Sequence, residues 1–342
     1  MKILKIISAI GFVGFCLFNL GCQDVTDELV GKKPDGFKEI HITMIAKSAT
    51  NPVFHSAKIG AEAAAKELSE KYSMIDVVID WRTPEIDDPS EQLEKIRNAV
   101  KDGTDAILVS CSDEDSLAFA INEAVNDSIP VMTFDSDAPD SKRFSFYGPD
   151  DVEIGENLMD ELAELIGGNG QVAILGGIQE APNLQKRVKG VNKAAAKYSG
   201  IEIVGEFYHA ESADSATAEV LRVNNEYPNL KGWAMVGGWP LFEETLLNKI
   251  EPGKIKIVAV DALPVQLIYI EKGAVQALLG QPTFKWGKIS VENIIKKLHL
   301  KEEVPENIKM KTIRVSIENL GGWARQLRAW GYDGIPEKYL IM

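Results

Sequence analysis

Disulfides are the first thing this sequence cannot supply. It has three cysteines in 342 residues. Cys16 lies inside an apolar N-terminal run and Cys22 directly follows it, so Cys111 stands alone in the remainder. No cross-linked framework is possible there, and stability must come from core packing. Basic residues are scarce as well. Lysine and arginine number 37 against 51 acids, a net charge of −14, which offers no basic face to a nucleic acid. The four histidines, His41, His55, His209 and His299, are not spaced as metal ligands, so neither a metal nor another cofactor is expected. G-x-S-x-G, H-E-x-x-H, the Walker A loop and G-x-G-x-x-G are all missing. No nucleophile stands beside a recognisable base, and the chain is expected not to be an enzyme.

What is present begins with ordinary globular composition, 45% apolar and 26% charged, in a chain long enough for two domains. Lys2 and Lys5 flank the apolar run Ile6 to Leu20, which is too short to span a membrane and is built like a secretory signal. It ends at Leu20-Gly21-Cys22, which resembles the lipobox of bacterial lipoproteins, with Asn19 where that motif usually has leucine. The resemblance implies removal of residues 1–21 and acylation of Cys22, which leaves no unpaired thiol at that position; the alternative is a plain signal peptide cut nearby. Loss of Lys2 and Lys5 would take the charge to −14 − 2 = −16. Residues 22–37 carry many charges and few apolar anchors and read as a tether. The expected location is outside the cytoplasm, in the periplasm or at the cell surface, lipid-anchored to a membrane.

From residue 39 short β-branched runs alternate with amphipathic stretches, the pattern of βαβ units and parallel sheets. Strands are expected at Ile40–Ala46, Val77–Trp81, Ala106–Ser110, Val131–Phe134 and Phe144–Tyr147, with helices between them. After Pro149 the pattern restarts. Strands are expected at Gln171–Leu175, Ile201–Tyr208, Trp233–Val236, Ile255–Val260, Ala274–Leu279 and Ile308–Val315, with a helix after Pro240. The fold class is therefore α/β, with two similar domains.

Ligands of open α/β sheets bind beyond the carboxyl ends of the strands. Those ends offer Lys47 and Asn51, Cys111, Asp135 and Asp137, Asn183 and Arg187, Trp239, Asp261, and Gln281. Carboxylates, amides and one arginine bind hydroxyls in pairs, and aromatic faces stack on the C–H faces of sugars. Each has a plainer alternative: loop-capping aspartates, a surface arginine, a tryptophan that only fills space, a small buried cysteine, and an Asp137 that merely holds Lys47.

These stretches together resemble the type I periplasmic sugar-binding proteins over residues 39–316. Asn51-Pro52-Val53-Phe54 is similar to the family's Asn-Pro-aromatic segment, and Thr133 to Asp137 to its fourth-strand aspartate motif. Tyr147 to Asp151 is similar to its first hinge crossing. Asn183 and Arg187 resemble its arginine helix; Val260-Asp261 and Gly280-Gln281-Pro282 resemble its sugar-binding aspartate and hinge-side glutamine. Val53, Cys111 and Gly238-Trp239 depart from the ribose pattern, and Asp135-Ser136-Asp137 with Lys47 looks closer to the rhamnose and furanosyl-autoinducer branch.

The resemblance implies two Rossmann-like domains with parallel sheets joined by a three-crossover hinge, 38–148 plus 282–313 and 149–281 plus 314–342. Crossings are expected near Gly148–Asp150, Gln281–Pro282 and Arg314–Ser316. The implied ligand set is Lys47, Asn51, Phe54, Cys111, Asp135, Asp137, Asn183, Arg187, Trp239, Asp261 and Gln281. The implied function is a monomeric solute-binding lipoprotein that holds a small sugar between its domains and delivers it to an ABC permease in the membrane. A sensor presenting a sugar or furanosyl autoinducer to a signalling receptor is the alternative. A secreted sugar-acting enzyme lacks its acid–base pair, and a repressor of the same fold would need a DNA-binding domain where the export signal stands.

Overall fold

The computed structural model describes residues 35–342. The expected signal segment, Cys22 and the tether as far as residue 34 lie outside the described residues. Lys38 to Met342 forms one unit. Its strands are β1 (Lys38–Ile45), β2 (Ile75–Trp81), β3 (Ala106–Val109), β4 (Val131–Phe134), β5 (Ser145–Gly148), β6 (Asn169–Leu175), β7 (Gly200–Phe207), β8 (Leu230–Met235), β9 (Lys256–Val260), β10 (Ala277–Gly280), β11 (Asn307–Lys309) and β12 (Ile313–Val315). Its helices are α1 (Pro52–Lys71), α2 (Pro89–Lys101), α3 (Glu114–Asn126), α4 (Asp151–Leu165), α5 (Pro182–Ala195), α6 (Ala213–Glu226), α7 (Leu267–Glu271), α8 (Phe284–Ile295), α9 (Leu320–Ala329) and α10 (Glu337–Leu340).

Two six-stranded sheets result, in the orders β11-β5-β4-β3-β1-β2 and β12-β10-β9-β8-β6-β7. Every pairing is parallel except β10 with β12. Central strands such as β3 (AILV) and β4 (VMTF) are buried at every residue, as strands covered on both faces must be. Asn51, Asp88, Asp113, Asp150 and Ser212 cap the helices that follow them by accepting first-turn N–H groups. The chain leaves the first sheet after Gly148, returns after Gly280, and leaves again between Lys309 and Ile313. That third passage precedes the Arg314–Ser316 read from the sequence.

The segment expected as one strand over Ile308–Val315 is two, β11 and β12, one in each sheet. The helix expected after Pro240 is also missing. A single 3-10 turn, Trp239–Leu241, is followed by turns as far as Ile250. There the backbone is held from outside the segment: Leu247 N–H donates to the Tyr269 hydroxyl, which donates to the Glu243 carbonyl. A side chain satisfies what a helical ladder would otherwise bond.

Candidate functional site

β4 and β9 occupy equivalent places, third from the same edge of their sheets. Each ends in an aspartate with left-handed backbone, Asp135 at φ 59° and Asp261 at φ 73°. Non-glycine residues rarely adopt that region, and such strain collects at binding sites. In each the N–H stays bonded within the fold: Asp135 N–H donates to the Tyr147 carbonyl and Asp261 N–H to that of Leu279.

Asp135 is 8% exposed. Its Oδ2 accepts from the Ser110 hydroxyl at 2.8 Å. Burial lifts its pKa above the ordinary carboxylate value, opposed by Lys47, the Ser110 bond and Arg187. Burial likewise raises Asp261, opposed by Gln281, which donates Nε2 to Oδ1 at 2.8 Å, and by Arg187. Gln281 Oε1 is buried with no hydrogen-bond partner, an acceptor awaiting a donor.

Arg187 is the common cation. It is 4% exposed, donates Nε to Asp151 Oδ1 at 2.8 Å and Nη1 to the Val236 carbonyl at 3.0 Å. Burial works against its charge, but Asp151, Asp261 and Asp135 outweigh it and hold the pKa above the usual value. Carboxylates ending strands of both sheets therefore feel one guanidinium. α5, which carries Arg187, starts at Ala181 without a side-chain cap, and Asn183 sits half-buried in its first turn. Lys47, after β1, is half-buried and has no ion-pair partner among the described residues; its charge acts on Asp135 and on Glu211. Trp239 is half-buried, its ring lying where a side chain on Gly237 would be, 2.4 Å from the added carbon.

Four expected members have other duties. Both Asp137 oxygens are occupied: Oδ1 accepts from Thr133, from Ala138 N–H and from Arg143 Nε at 2.5 Å, and Oδ2 from Arg143 Nη2 at 2.6 Å. Asp137 thus holds Arg143 rather than Lys47. Phe54 is core: its ring packs edge-on against Phe134 and beside Trp286, at 6.4 and 6.1 Å between centroids. Cys111 is 3% exposed among Val109, Leu117 and Ala138; burial, then Asp137, pushes its thiol pKa far up, so it is no thiolate. Asn51 Oδ1 caps α1 by accepting from Val53 N–H at 3.2 Å.

The sequence reading missed Ser110 and Asp151, which orient Asp135 and Arg187. Asp151 follows the helix cap Asp150 and was legible only as part of a hinge crossing. It also missed His209 and Glu211, between β7 and α6. Burial lowers His209 to about 4 and raises Glu211 above its ordinary value. Among the described residues no group of three or more histidine, cysteine or carboxylate side chains is placed to hold a metal ion.

Against known proteins, a family model described as a periplasmic binding protein domain matches residues 42–302. A D-ribose/D-allose-binding protein of Pseudomonas aeruginosa is 23% identical over 287 residues, 81% of this chain and 87% of that protein. Among solved structures, an ABC transporter solute-binding protein of Burkholderia graminis in complex with D-arabinose is 27% identical, with a TM-score of 0.76 over 84% of this chain and 98% of that one. A periplasmic solute-binding protein of Actinobacillus succinogenes with bound D-allose is 25% identical, with a TM-score of 0.72 over 82% and 98%. The two-sheet architecture is the one these structures share.

Proposed function

Because the chain belongs to the periplasmic binding protein domain family, in its type I sugar-binding branch, we propose that it binds one small neutral sugar between its two sheets and passes it unchanged to an ABC permease. The observation that carries this reading is the pair Asp135 and Asp261, left-handed strand-end carboxylates from different sheets that share Arg187. Each ionised carboxylate can accept two hydroxyls in a dry cleft, Gln281 Oε1 can accept another, and Arg187, Asn183 and Lys47 supply the complementary donors. A sugar held by both aspartates joins the two sheets, which is how a ligand closes such a clamp. Sugars bound by relatives, D-arabinose, D-ribose and D-allose, are the first candidates. The protein is read as a monomer, exported and anchored through an acyl chain on Cys22.

Calorimetry tests the binding. The wild type should bind at least one of these sugars. Asp135→Ala and Asp261→Ala should each weaken it about tenfold to a hundredfold, since hydrogen bonds to charged groups contribute about 1.5–3 kcal/mol and about 1.4 kcal/mol is tenfold. Asp76→Ala, on β2 away from these strand ends, should bind normally. Folded aspartate variants with wild-type affinity would move the site elsewhere. Anchoring is tested by fractionation: Cys22→Ser should release the protein from membranes, and a wild type already free of them would refute the lipid anchor.

A further inference from the structure

Among the described residues five non-glycine residues have left-handed backbone, and besides Asp135 and Asp261 a third is a carboxylate following a strand: Glu211, at φ 55°. It closes a small corner of the second sheet. Its Oε1 accepts from Ile178 N–H at 3.1 Å, and its own N–H donates to His209 Nδ1 at 3.0 Å. That bond decides the histidine's tautomer. A ring nitrogen that accepts carries no proton, so in neutral His209 the proton is on Nε2. Nε2 is buried and has no hydrogen-bond partner. The His209 ring stands edge-on to Trp239, with centroids 4.9 Å apart. Trp239 and Glu211 in turn share the space beside Gly177, where an added carbon would lie 2.8 Å from the indole and 2.5 Å from Oε1. The corner therefore holds one unspent donor, His209 Nε2–H, and one carboxylate oxygen, Glu211 Oε2, that makes no hydrogen bond.

We propose that His209 and Glu211 are specificity-determining residues of the sugar site, taking one ligand hydroxyl between them as acceptor from Nε2–H and donor to Oε2, beside Trp239. This rests on the sugar-binding reading above and adds the selecting element to it. A hydroxyl is the one common sugar group that both gives and takes a hydrogen bond. A ligand without it leaves a buried donor and a carboxylate unmet, which discriminates far better than an apolar wall does. Glu211 lies on the strand-end side of the second sheet, following β7 and sharing the space beside Gly177 with Trp239, where the charges of Lys47 and Arg187 reach it.

The test is calorimetry on wild type, Glu211→Gln and His209→Phe with D-arabinose, D-ribose, D-allose and the monodeoxy forms of whichever binds tightest. Glu211→Gln keeps an oxygen for Ile178, and His209→Phe keeps a ring against Trp239. Each variant should lose about tenfold to a hundredfold in affinity for the parent sugar. One deoxy sugar, lacking the hydroxyl in question, should bind all three proteins alike, because the contact is already gone. Equal losses for every sugar, including every deoxy form, would make the corner structural and overturn the proposal. So would folded variants with wild-type affinities while Asp135→Ala still binds more weakly, an outcome that leaves the sugar-binding reading intact. A wild type that binds none of these sugars would instead remove that reading, and this inference with it.

Discussion

At Asp137 both carboxylate oxygens are spent on Arg143, which is 7% exposed and also donates to the Glu306 carbonyl and to Asn307 Oδ1, each at 3.1 Å. The pair ties the end of β4 to the edge strand β11. Removing one partner of a buried pair leaves the other charged and unmet, at about 3–5 kcal/mol. Asp137→Ala should therefore lower the denaturation midpoint sharply, and where the variant remains folded its sugar affinity should stay within a few-fold of wild type. A folded Asp137→Ala without binding would return Asp137 to the ligand set. His209 makes a different prediction. Burial lowers it from 6.5 to about 4, so the unfolded chain takes up the proton first as pH falls. Its contribution to stability is whole above about 6.5 and is lost as pH drops toward about 4. In urea titrations across that window, His209→Phe should lose less stability than wild type. Parallel curves would show that the imidazole is not buried neutral.

α4 and α5 cross at two glycines. A methyl at Gly155 would lie 1.9 Å from the Arg187 carbonyl, and one at Gly190 2.0 Å from that of Val152. No side chain fits, so the backbones touch, and the crossing sets Arg187 beside Asp151. α1 and α8 repeat the device in the first sheet, where Gly60 and Gly287 would each place a methyl 1.9 Å from a facing carbonyl. Gly155→Ala should push α5 away, costing about 1–3 kcal/mol by overpacking, and should carry the guanidinium with it. Sugar affinity should fall together with thermal stability. Gly167→Ala, where an added carbon meets nothing within 4 Å but φ is +70°, should cost stability through backbone strain alone and leave affinity intact. An unaltered affinity in Gly155→Ala would mean that the helix crossing does not place Arg187.

Across the whole molecule the two sheets repeat one strand order, except that the edge pair is parallel in the first (β11 with β5) and antiparallel in the second (β12 with β10), so their strand-end carboxylates stand at equivalent positions. The three passages of chain between the sheets form a hinge, and the Lys186–Glu114 ion pair, at 2.6 Å, joins α5 of one half to α3 of the other. A bound sugar should draw the halves together, and X-ray scattering should record a smaller radius of gyration with saturating ligand. Identical profiles would count against a closing clamp. The exposed ion pair contributes about 0–1 kcal/mol, so Lys186→Ala should cost no more than about fivefold in affinity.

The alternation of strands and helices was legible in the sequence because periods of 2 and 3.6 residues are local properties. Asp135 and Asp261 were legible as strand ends, since an abrupt change from a buried apolar run to a carboxylate marks a strand's carboxyl end. Asn51 was not legible as a helix cap, because a capping amide and a ligand-binding one look alike in sequence. Partnership was not legible. Asp137 and Asp135 look alike two residues apart, and only the arrival of Arg143, itself bonded to residues more than 160 positions away, assigns one to the scaffold. Phe54 looked like a ligand-stacking ring until α8 laid Trp286 beside it. His209 and Glu211 carried no signal at all. Their roles depend on a tautomer fixed by a neighbour's N–H and on a tryptophan thirty residues away. A side chain's chemistry is written in the sequence, but what it must bond to is decided by which strands lie side by side and how closely the helices pack.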